Sequence, residues 1–584
     1  MIVSMKKITL IVESKDADST LKELRQSGVL HIEHQNAPVS ESVTELEKKR
    51  NSLLKAIGAL SEATSQKDIS CDPEEIVSQI LDLCNEREIH RENSSKIKQK
   101  IQDWKEWGDF DPEFIDDLKD RNILIQLCKI TKKQIQNIPE GVILEELFKK
   151  GNLIYCVAIS EKEIDLPFET LSLPEQSLKE MFLVQEKEED GALQINKRLA
   201  ELSGYQKSLS LYKAKLTSLI EFKRVAAGMG KVERLSYLRG YCPVYNVNLI
   251  ERLAANQRWG LLIEEPDEND SIPTLIKNPR WIEIIRPVLE MIKTIPGYRE
   301  MDISAWFLLF FSVFFGMLIG DAGYGAVFFI INLLCHLKFK SSVKNKSIFF
   351  LTYVLSSCAI IWGVLTGTFF GQAWLPERVV PLLPYLRENA NVQGLCFFIG
   401  AFHLSIAHTW RLLRKLPSLK AFSEAGWILV LWTVYFLAKS LILGQAFPAF
   451  GKTLFIVGSG LIVFFTNPKK NLFKGIGSGI GDFLLHIVNS FTDVVSYIRL
   501  FAVGAATVAV ADAFNRMASS VGHSNVFLGF LTAFILLFGH ILNILLGAMA
   551  ILVHGIRLNV LEFSSHLNME WSGTEYTPFT EEAN

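Results

Sequence analysis

SAWFLLFFSVFFGMLIGDAGYGAVFFIINLLCHL occupies residues 304–337, and the way this stretch is divided decides the fold. About 20 consecutive apolar residues suffice to cross a hydrocarbon layer of roughly 30 Å. One helix over the whole stretch would run to about 51 Å at 1.5 Å per residue. Gly320-Asp321-Ala322-Gly323-Tyr324-Gly325 interrupts it, and three glycines with an aspartate in six residues suit a turn better than a continuous helix. The stretch therefore reads as two short spans, 304–320 and 322–337, with Asp321 as a turn residue. Six further apolar blocks follow, at 347–371, 393–411, 424–443, 452–467, 475–518 and 525–563, making eight spans in all.

Charge supports the division. Basic residues cluster in three loops: Lys338, Lys340, Lys344 and Lys346; Arg411, Arg414, Lys415 and Lys420; and Lys469, Lys470 and Lys474. The alternate loops are poor in charge (QAFPAF, SSVGHSN) or mixed (Glu377, Arg378, Arg387, Glu388). With eight spans all three basic loops share a side with the N-terminal half and with the C-terminus. An undivided first block would place them opposite, against the positive-inside tendency.

The 584 residues are 49% hydrophobic with a formal net charge of -2, an average that conceals two unlike halves. Residues 1–300 carry most of the Lys, Arg, Asp and Glu, and residues 301–584 carry the apolar blocks. The opening MIVSMKKITLIVES meets charge at once, so it reads as a β-strand and not as a signal peptide, and the soluble half is expected to be cytoplasmic. The eight cysteines (Cys71, Cys84, Cys128, Cys156, Cys242, Cys335, Cys358, Cys396) show no metal-ligand spacing and are expected to be reduced thiols. No metal or cofactor is expected.

The fold class is mixed: N-terminal α/β lobes joined by an antiparallel coiled coil, then an all-α polytopic membrane domain whose last two helices are long and tilted. Residues 6–35 read as strand, helix, strand, with Gly28 at the helix C-cap. Helical connectors are expected at about 41–110, interrupted near Asp72-Pro73, and at about 188–225. ILIQLCKI (123–130) and LIYCVAIS (153–160) read as strands of a second small lobe. Ile195, Leu202, Leu209 and Leu216 recur at one heptad position, with Leu199 and Ile220 at the other, and close against a helix around Leu46, Leu53 and Leu60. An ordinary amphipathic helix on a globular core is the competing reading. A third α/β piece spans 236–265, and the overall picture is a dumbbell of two lobes held apart by paired helices.

A basic side chain at the bilayer centre costs about 2.5–3.5 kcal/mol on insertion scales. Two arginines are so placed: Arg499 in SFTDVVSYIRLFAVGAATVAV (490–510) and Arg557 in ILVHGIRLNVLEF (551–563). Both stay protonated and require an anion, which another chain can supply. Forward from Arg499 by threes and fours, Ala502, Ala506, Ala509 and Ala513 make a stripe of small residues that permits close approach of another helix. Backward, Ser496, Asp493, Thr492, Asn489, His486 and Asp482 make a polar stripe suited to a half-channel that delivers ions to a carboxylate on a neighbouring helix. The competing reading is that Asp493 and Arg499 stabilise packing within this chain. The block 475–518 would span about 65 Å as one helix, so it begins with an interfacial turn or crosses strongly tilted.

At these residues the sequence resembles subunit I of bacterial and archaeal V/A-type ATPases, equivalent to subunit a of the vacuolar enzyme. The resemblance rests on IPTLIKNP (272–279), FFGMLIGDAGYG (314–325), WGVLTGTFFG (362–371), EAGW (424–427), SYIRLFAVG (496–504), FGHILN (538–543), HGIRLNVLEF (554–563) and YTPF (576–579). It implies a non-catalytic membrane stator of a rotary ATPase, forming two offset half-channels beside a ring that carries one carboxylate per unit, with H⁺ or Na⁺ translocation coupled to ATP synthesis or hydrolysis. Arg499 would face the passing ring carboxylate and favour its ionised form, and Arg557 maps onto the family's second arginine. His540, Asn543, His554 and Glu562 are further candidates for channel lining or interhelical packing. Glu424 and His403 would fasten helices, and Asp512 and Arg516 would flank an exit path or pair with each other. The implied partners are ring subunits of K/c type, peripheral-stalk subunits of E/G type, a central-stalk adaptor of d/C type and the lipid bilayer of a cell membrane, with no nucleic acid.

A self-contained ion-coupled secondary transporter is the alternative function, since intramembrane charges also mark substrate paths. It predicts an internal repeat with paired interrupted helices, which the sequence does not show. A nucleotide-using enzyme finds only AFPAFGKT (446–453), with Ala446 where the first glycine of a phosphate loop belongs and no preceding strand. A scaffold without an ion path leaves Arg499 without a reason.

Overall fold

The computed structural model describes residues 1–60, 72–131, 134, 141–162, 169–341, 343, 345–371, 383–466, 472–522 and 525–581, and not the side chains of residues 116, 150, 472–479 and 482. Cys71, Lys344, Glu377, Arg378, Lys469, Lys470, part of the SSVGHSN loop and the side chains of Lys474 and Asp482 lie outside the described set.

Strand β1 (Met5–Glu13), helix α1 (Ala17–Ser27) and strand β2 (His31–Glu33) open the chain. Gly28 ends α1 in the left-handed conformation at φ 59°, donating its N–H to Leu24 O, as its place in the sequence suggested. Helix α2 (Glu41–Ala59) is capped by Ser40. Helix α3 (Pro73–Trp104) is capped by Asp72, with Pro73 in the first turn where a missing N–H is harmless. Helix α4 (Pro112–Asp120) precedes strands β3 (Leu124–Thr131), β4 (Val142–Lys150), β5 (Leu153–Ser160) and β6 (Glu169–Leu171). Helices α5 (Leu178–Leu202) and α6 (Gln206–Gly228) come next. Strands β7 (Gly230–Val232) and β8 (Leu235–Pro243), helix α7 (Val247–Gln257), strand β9 (Gly260–Glu264) and the short helices α8 (Arg280–Glu283) and α9 (Arg286–Ile292) complete this half.

Two sheets result. One has the order β4-β5-β3-β6, with β3 antiparallel to both β5 and β6. The other has the order β2-β8-β1-β9, with β7 paired to β8. The α/β piece near residue 240 is thus the second half of the sheet that starts at Met5, interleaved with it as in split βαβ motifs.

The chain divides into two compact units, Met1–Thr9 with Val29–His31 and Gly240–Phe579, and Leu10–Gly28 with Ile32–Arg239. Within the second unit, Leu53, Ala56 and Leu60 of and beyond α2, Ile76, Ile80 and Leu83 of α3, Ile195 and Leu199 of α5, and Leu209 and Leu216 of α6 share one buried cluster. The heptad run is not one helix: a 3₁₀ turn at Ser203–Tyr205 separates α5 from α6. Helix α6 packs on α2, and α5 packs on α3. Between α6 and α3, the Tyr212 hydroxyl donates to Glu74 Oε1 at 2.9 Å; burial pushes that phenol up to about 12, helped by the carboxylate. The seven described cysteines are free, and burial raises the Cys128 thiol to about 11 and Cys242 to about 12.

In the first unit, helices α10 (Ser304–Ile319) and α11 (Ala322–Phe339) meet at the expected break. Gly320 turns the chain at φ 69°. Asp321 is fully buried and caps α11, its Oδ1 accepting from Gly323 N at 2.7 Å and Tyr324 N at 3.2 Å. Its other oxygen accepts from Gly371 N at 3.1 Å, beyond helix α12 (Ser347–Thr366). Then come α13 (Asn389–Lys415), α14 (Ala421–Leu443), α15 (Ala449–Phe465), α16 (Leu472–Ser496), α17 (Ile498–Val521) and α18 (Val526–Ala550), with α19 (Ser564–His566) after two π-helical stretches. Among the described residues, six helical runs are long and apolar enough to cross a membrane: Ala322–Phe339, Ser347–Thr366, Asn389–Lys415, Ala421–Leu443, Phe483–Val521 and Val526–His566. Ser304–Ile319 and Ala449–Phe465 are apolar but shorter.

Asp321→Ala removes a buried cap and the link to Gly371. It is expected to lower stability by about 1–2 kcal/mol, read as a fall in the melting temperature of the detergent-solubilised protein, with Asp321→Asn recovering most of the loss because its amide oxygen still accepts.

Candidate functional site

Helices α16 and α17 are nearly continuous, and the step between them is made by Tyr497. Its N–H bonds back to Val494 O at 3.3 Å and Leu500 N bonds to Tyr497 O at 3.0 Å, a local i→i−3 ladder. The ring is fully buried, and its hydroxyl meets His403 Nδ1 of α13 at 2.8 Å. Gly400, one turn earlier on α13, makes room: a Cβ there would lie 2.8 Å from the tyrosine ring. His403 is itself held between Phe310 and Phe563, at 3.8 and 4.1 Å between ring centroids, so it fastens helices as its motif implied.

Two residues past this step, Arg499 donates from Nη2 to Glu562 Oε1 at 2.9 Å, and Arg557 Nε approaches the same oxygen at 3.5 Å. The sequence reading looked to another chain for the anion beside Arg499, whereas the structure places one 63 residues downstream in the same chain. Glu562 is only 4% exposed. The backbone that carries it widens into π-helical turns at Ile551–Gly555 and Leu558–Phe563, a deviation often found at functional sites. Arg499 Nη1, Glu562 Oε2 and His554 Nδ1 are buried without a hydrogen-bond partner.

Helix α17 has two unlike faces. Leu500, Gly504, Thr507, Ala511 and Asn515 are buried, and a Cβ on Gly504 would lie 2.3 Å from Met317 O of α10. Ala502, Ala506, Ala509 and Ala513 are all exposed. The small-residue stripe read from the sequence is therefore outward-facing surface.

Two cavities flank this region. The first, about 790 Å³, is lined by His486, Asn489, Thr492 and Asp493 of α16, with Glu424, Arg557, Glu562 and His566 among its other walls. Ser496 is half-buried and is not part of that lining. A chain of hydrogen bonds, buried from His566 to Glu424, runs along it: Asp493 Oδ2 to His566 Nε2 at 3.1 Å, His566 Nδ1 to His408 Nε2 at 2.9 Å, and His408 Nδ1 to Glu424 Oε2 at 2.7 Å. Glu424 is 2% exposed and also pairs with Arg411 at 3.0 Å and Lys415 at 2.5 Å, joining α13 to α14. The second cavity, about 600 Å³, is lined by Gly320, Thr368, Arg387 and Asn389 and by α17 from Leu500 through Ala509 to Asp512 and Arg516. Asp512 and Arg516 pair at 2.7 Å. The cavities touch opposite ends of α13, Asn389 and Val392 against His408 to Lys415, roughly 24 Å apart at the helical rise. Arg499 lines neither; along the chain it lies between Asp493, on the first, and Leu500, on the second.

His540 and Asn543 line neither cavity. Tyr324 OH meets His540 Nδ1 at 2.7 Å, and Asn543 Nδ2 donates to Tyr324 OH and Thr507 O at 2.9 Å each, tying α18 to α11 and α17. Among the described residues no cluster of His, Cys, Asp and Glu is placed to hold a metal ion.

The chain is 33% identical to the V-type ATP synthase subunit I of Borreliella burgdorferi over 99% of both chains. It belongs to the V/A-type ATP synthase subunit I family. It is also 30% identical to V-type ATP synthase subunit I 1 of Treponema pallidum over the full length of both, and 27% identical to the A-type ATP synthase subunit I of Methanocaldococcus jannaschii over 79% of this chain and 70% of that one. No family model matches. A crystal structure of the cytoplasmic N-terminal domain of subunit I, homolog of subunit a, of V-ATPase overlaps 44% of this chain and 99% of that chain at 14% identity, with a TM-score of 0.21 on which nothing rests.

Membership makes this chain a membrane subunit of a V/A-type ATPase, and the six long apolar runs agree. Sequence reasoning missed His408, Arg411 and His566 as members of the site. The spacing of His408, Arg411 and Lys415 puts them on one helical face, a signal that was present, but their common partner lies on the next helix. Glu424→Gln is expected to cost about 3 kcal/mol, because it strands buried cationic groups. Lys415→Met, at a residue 35% exposed, should cost under about 1 kcal/mol. Thermal unfolding of the two variants in detergent checks the difference.

Proposed function

We propose that this subunit is the ion-conducting stator of its rotary ATPase, with Arg499 facing the carboxylate of each passing ring subunit between two aqueous half-channels. The observation that carries the reading is the position of Arg499 along the chain between Asp493, which lines one cavity, and Leu500, which lines the other, at the end of an exposed alanine face. An ion entering one cavity reaches the ring carboxylate only on that side. As the carboxylate passes Arg499, the guanidinium field favours its ionised form and drives the bound ion off. The same fixed cation opposes direct leakage of cations between the cavities. Small side chains on α17 let a ring helix approach closely enough for this field to act.

In this reading the two shorter apolar helices, α10 and α15, also cross the membrane, giving eight spans with the last two runs tilted. The basic loops, the N-terminal arm and the C-terminus lie on the cytoplasmic side, so the cavity near Arg411 and Lys415 opens inward and the one near Arg387 opens outward. Paired helices α2, α3, α5 and α6 form an antiparallel coiled-coil arm that docks the peripheral stalks and resists torque, and the ring and a central-stalk adaptor complete the partners. ATP chemistry resides on other subunits. His486, Asn489 and Asp493 line the inner half-channel, and Asp512 with Arg516 flanks the outer one.

Arg499→Ala is expected to leave the ring copurifying with the subunit while ATP-driven ion uptake into proteoliposomes falls to background. Ion uptake at the wild-type rate in that variant contradicts the reading.

A further inference from the structure

The pairing of Arg499 within its own chain raises a question about charge. Arg499 and Arg557 both address one oxygen of Glu562, at 2.9 and 3.5 Å, so the cluster of two guanidinium groups and one carboxylate carries a net charge of +1. Glu562 is 4% exposed and its second oxygen is buried without a hydrogen-bond partner, as is Arg499 Nη1. These unsatisfied atoms point to a site built to exchange partners and not to a closed structural ion pair, in which every donor and acceptor would be used.

We infer that Glu562 is a positioning residue that acts through Arg499: it is the arginine's resident counter-ion, alternating with the visiting ring carboxylate and holding the local charge at the level one carboxylate neutralises. This rests on the proposed role of Arg499. With Glu562 ionised, a ring carboxylate meets a charge of +1, strong enough to release its ion and weak enough to let the carboxylate leave. Without it the charge is +2, the ionised carboxylate is held too firmly, and reloading with an ion requires a higher ion concentration. Other charged or titratable groups lie on the neighbouring elements. His554 lies on its own helical run, Tyr497 and Asp493 lie on α16 and the step after it, His403 lies on α13, and His566 follows on α19. Asp493 is engaged by His566 and Tyr497 by His403, leaving Glu562 as the carboxylate that meets Arg499 directly.

The test uses the assembled ATPase in proteoliposomes, with ATP-driven ion uptake recorded against pH with and without added Na⁺. In Glu562→Gln, turnover should fall and the alkaline limb of the pH profile should move to lower pH by about one unit if protons are carried, because an extra positive charge within a few ångströms makes protonation harder. If Na⁺ is carried, the half-saturating Na⁺ concentration should rise by about tenfold instead. The double variant Glu562→Gln with Arg557→Gln returns the charge to +1 and should restore the profile, a rescue that a merely structural role for Glu562 would not give. Should Glu562→Gln fail to assemble, Glu562→Asp, which keeps the charge on a shorter arm, should show a smaller shift in the same direction. An unshifted profile in whichever single variant assembles, or a double variant no better than Glu562→Gln, overturns the inference. If Arg499→Ala abolishes uptake while these variants leave the profile unshifted, the counter-ion role fails and the stator reading stands. If Arg499→Ala transports normally, the stator reading itself has failed.

Discussion

A permanent cation in an apolar helical bundle is the constraint around which the membrane half is organised. Arg499 brings a guanidinium cation into this bundle, and its placement is tolerable only where an anion and hydrogen-bond acceptors meet it. Glu562 supplies the anion at 2.9 Å, from a helical run that loosens into π turns at Ile551–Gly555 and Leu558–Phe563. The step at Tyr497 sets where the arginine emerges, and Tyr497 is in turn seated by Gly400, His403 and the aromatic rings around them. Each of these contacts joins helices far apart in sequence. The position of one charge therefore depends on the packing of α10, α13, α17 and the C-terminal run together.

The same packing leaves two cavities. They touch opposite ends of α13, and in the wall of the second the close contact of Gly504 with Met317 leaves no room for a Cβ. On the proposed function, the exposed alanine face of α17 is the surface on which the ring would travel.

Much of this was legible in the sequence where a local rule applied. The break at Gly320-Asp321 follows from turn chemistry, and the structure makes Asp321 a buried cap. The alanine stripe follows from helical periodicity, as does the polar stripe through His486, Asn489 and Asp493. What stayed hidden depends on distance along the chain or on broken periodicity. His408 and His566 are 158 residues apart, and nothing local announces their contact. The π-helical register around Arg557 defeats any projection at 3.6 residues per turn, so Glu562 did not read as the partner of Arg499. Ser203-Gly204-Tyr205 splits a heptad run that the apolar pattern alone presents as continuous.

The central claim is that the Arg499 face of α17 meets the ring. The most direct measurement is disulfide trapping in the assembled complex, with one cysteine a helical turn from the ring carboxylate and another at Ala506 on α17 or at Ile361, exposed on α12. The account predicts that the Ala506→Cys pair cross-links on oxidation, halts ATP-driven rotation and recovers on reduction, while the Ile361→Cys pair does not cross-link. Cross-linking from Ile361 with none from Ala506 would contradict it.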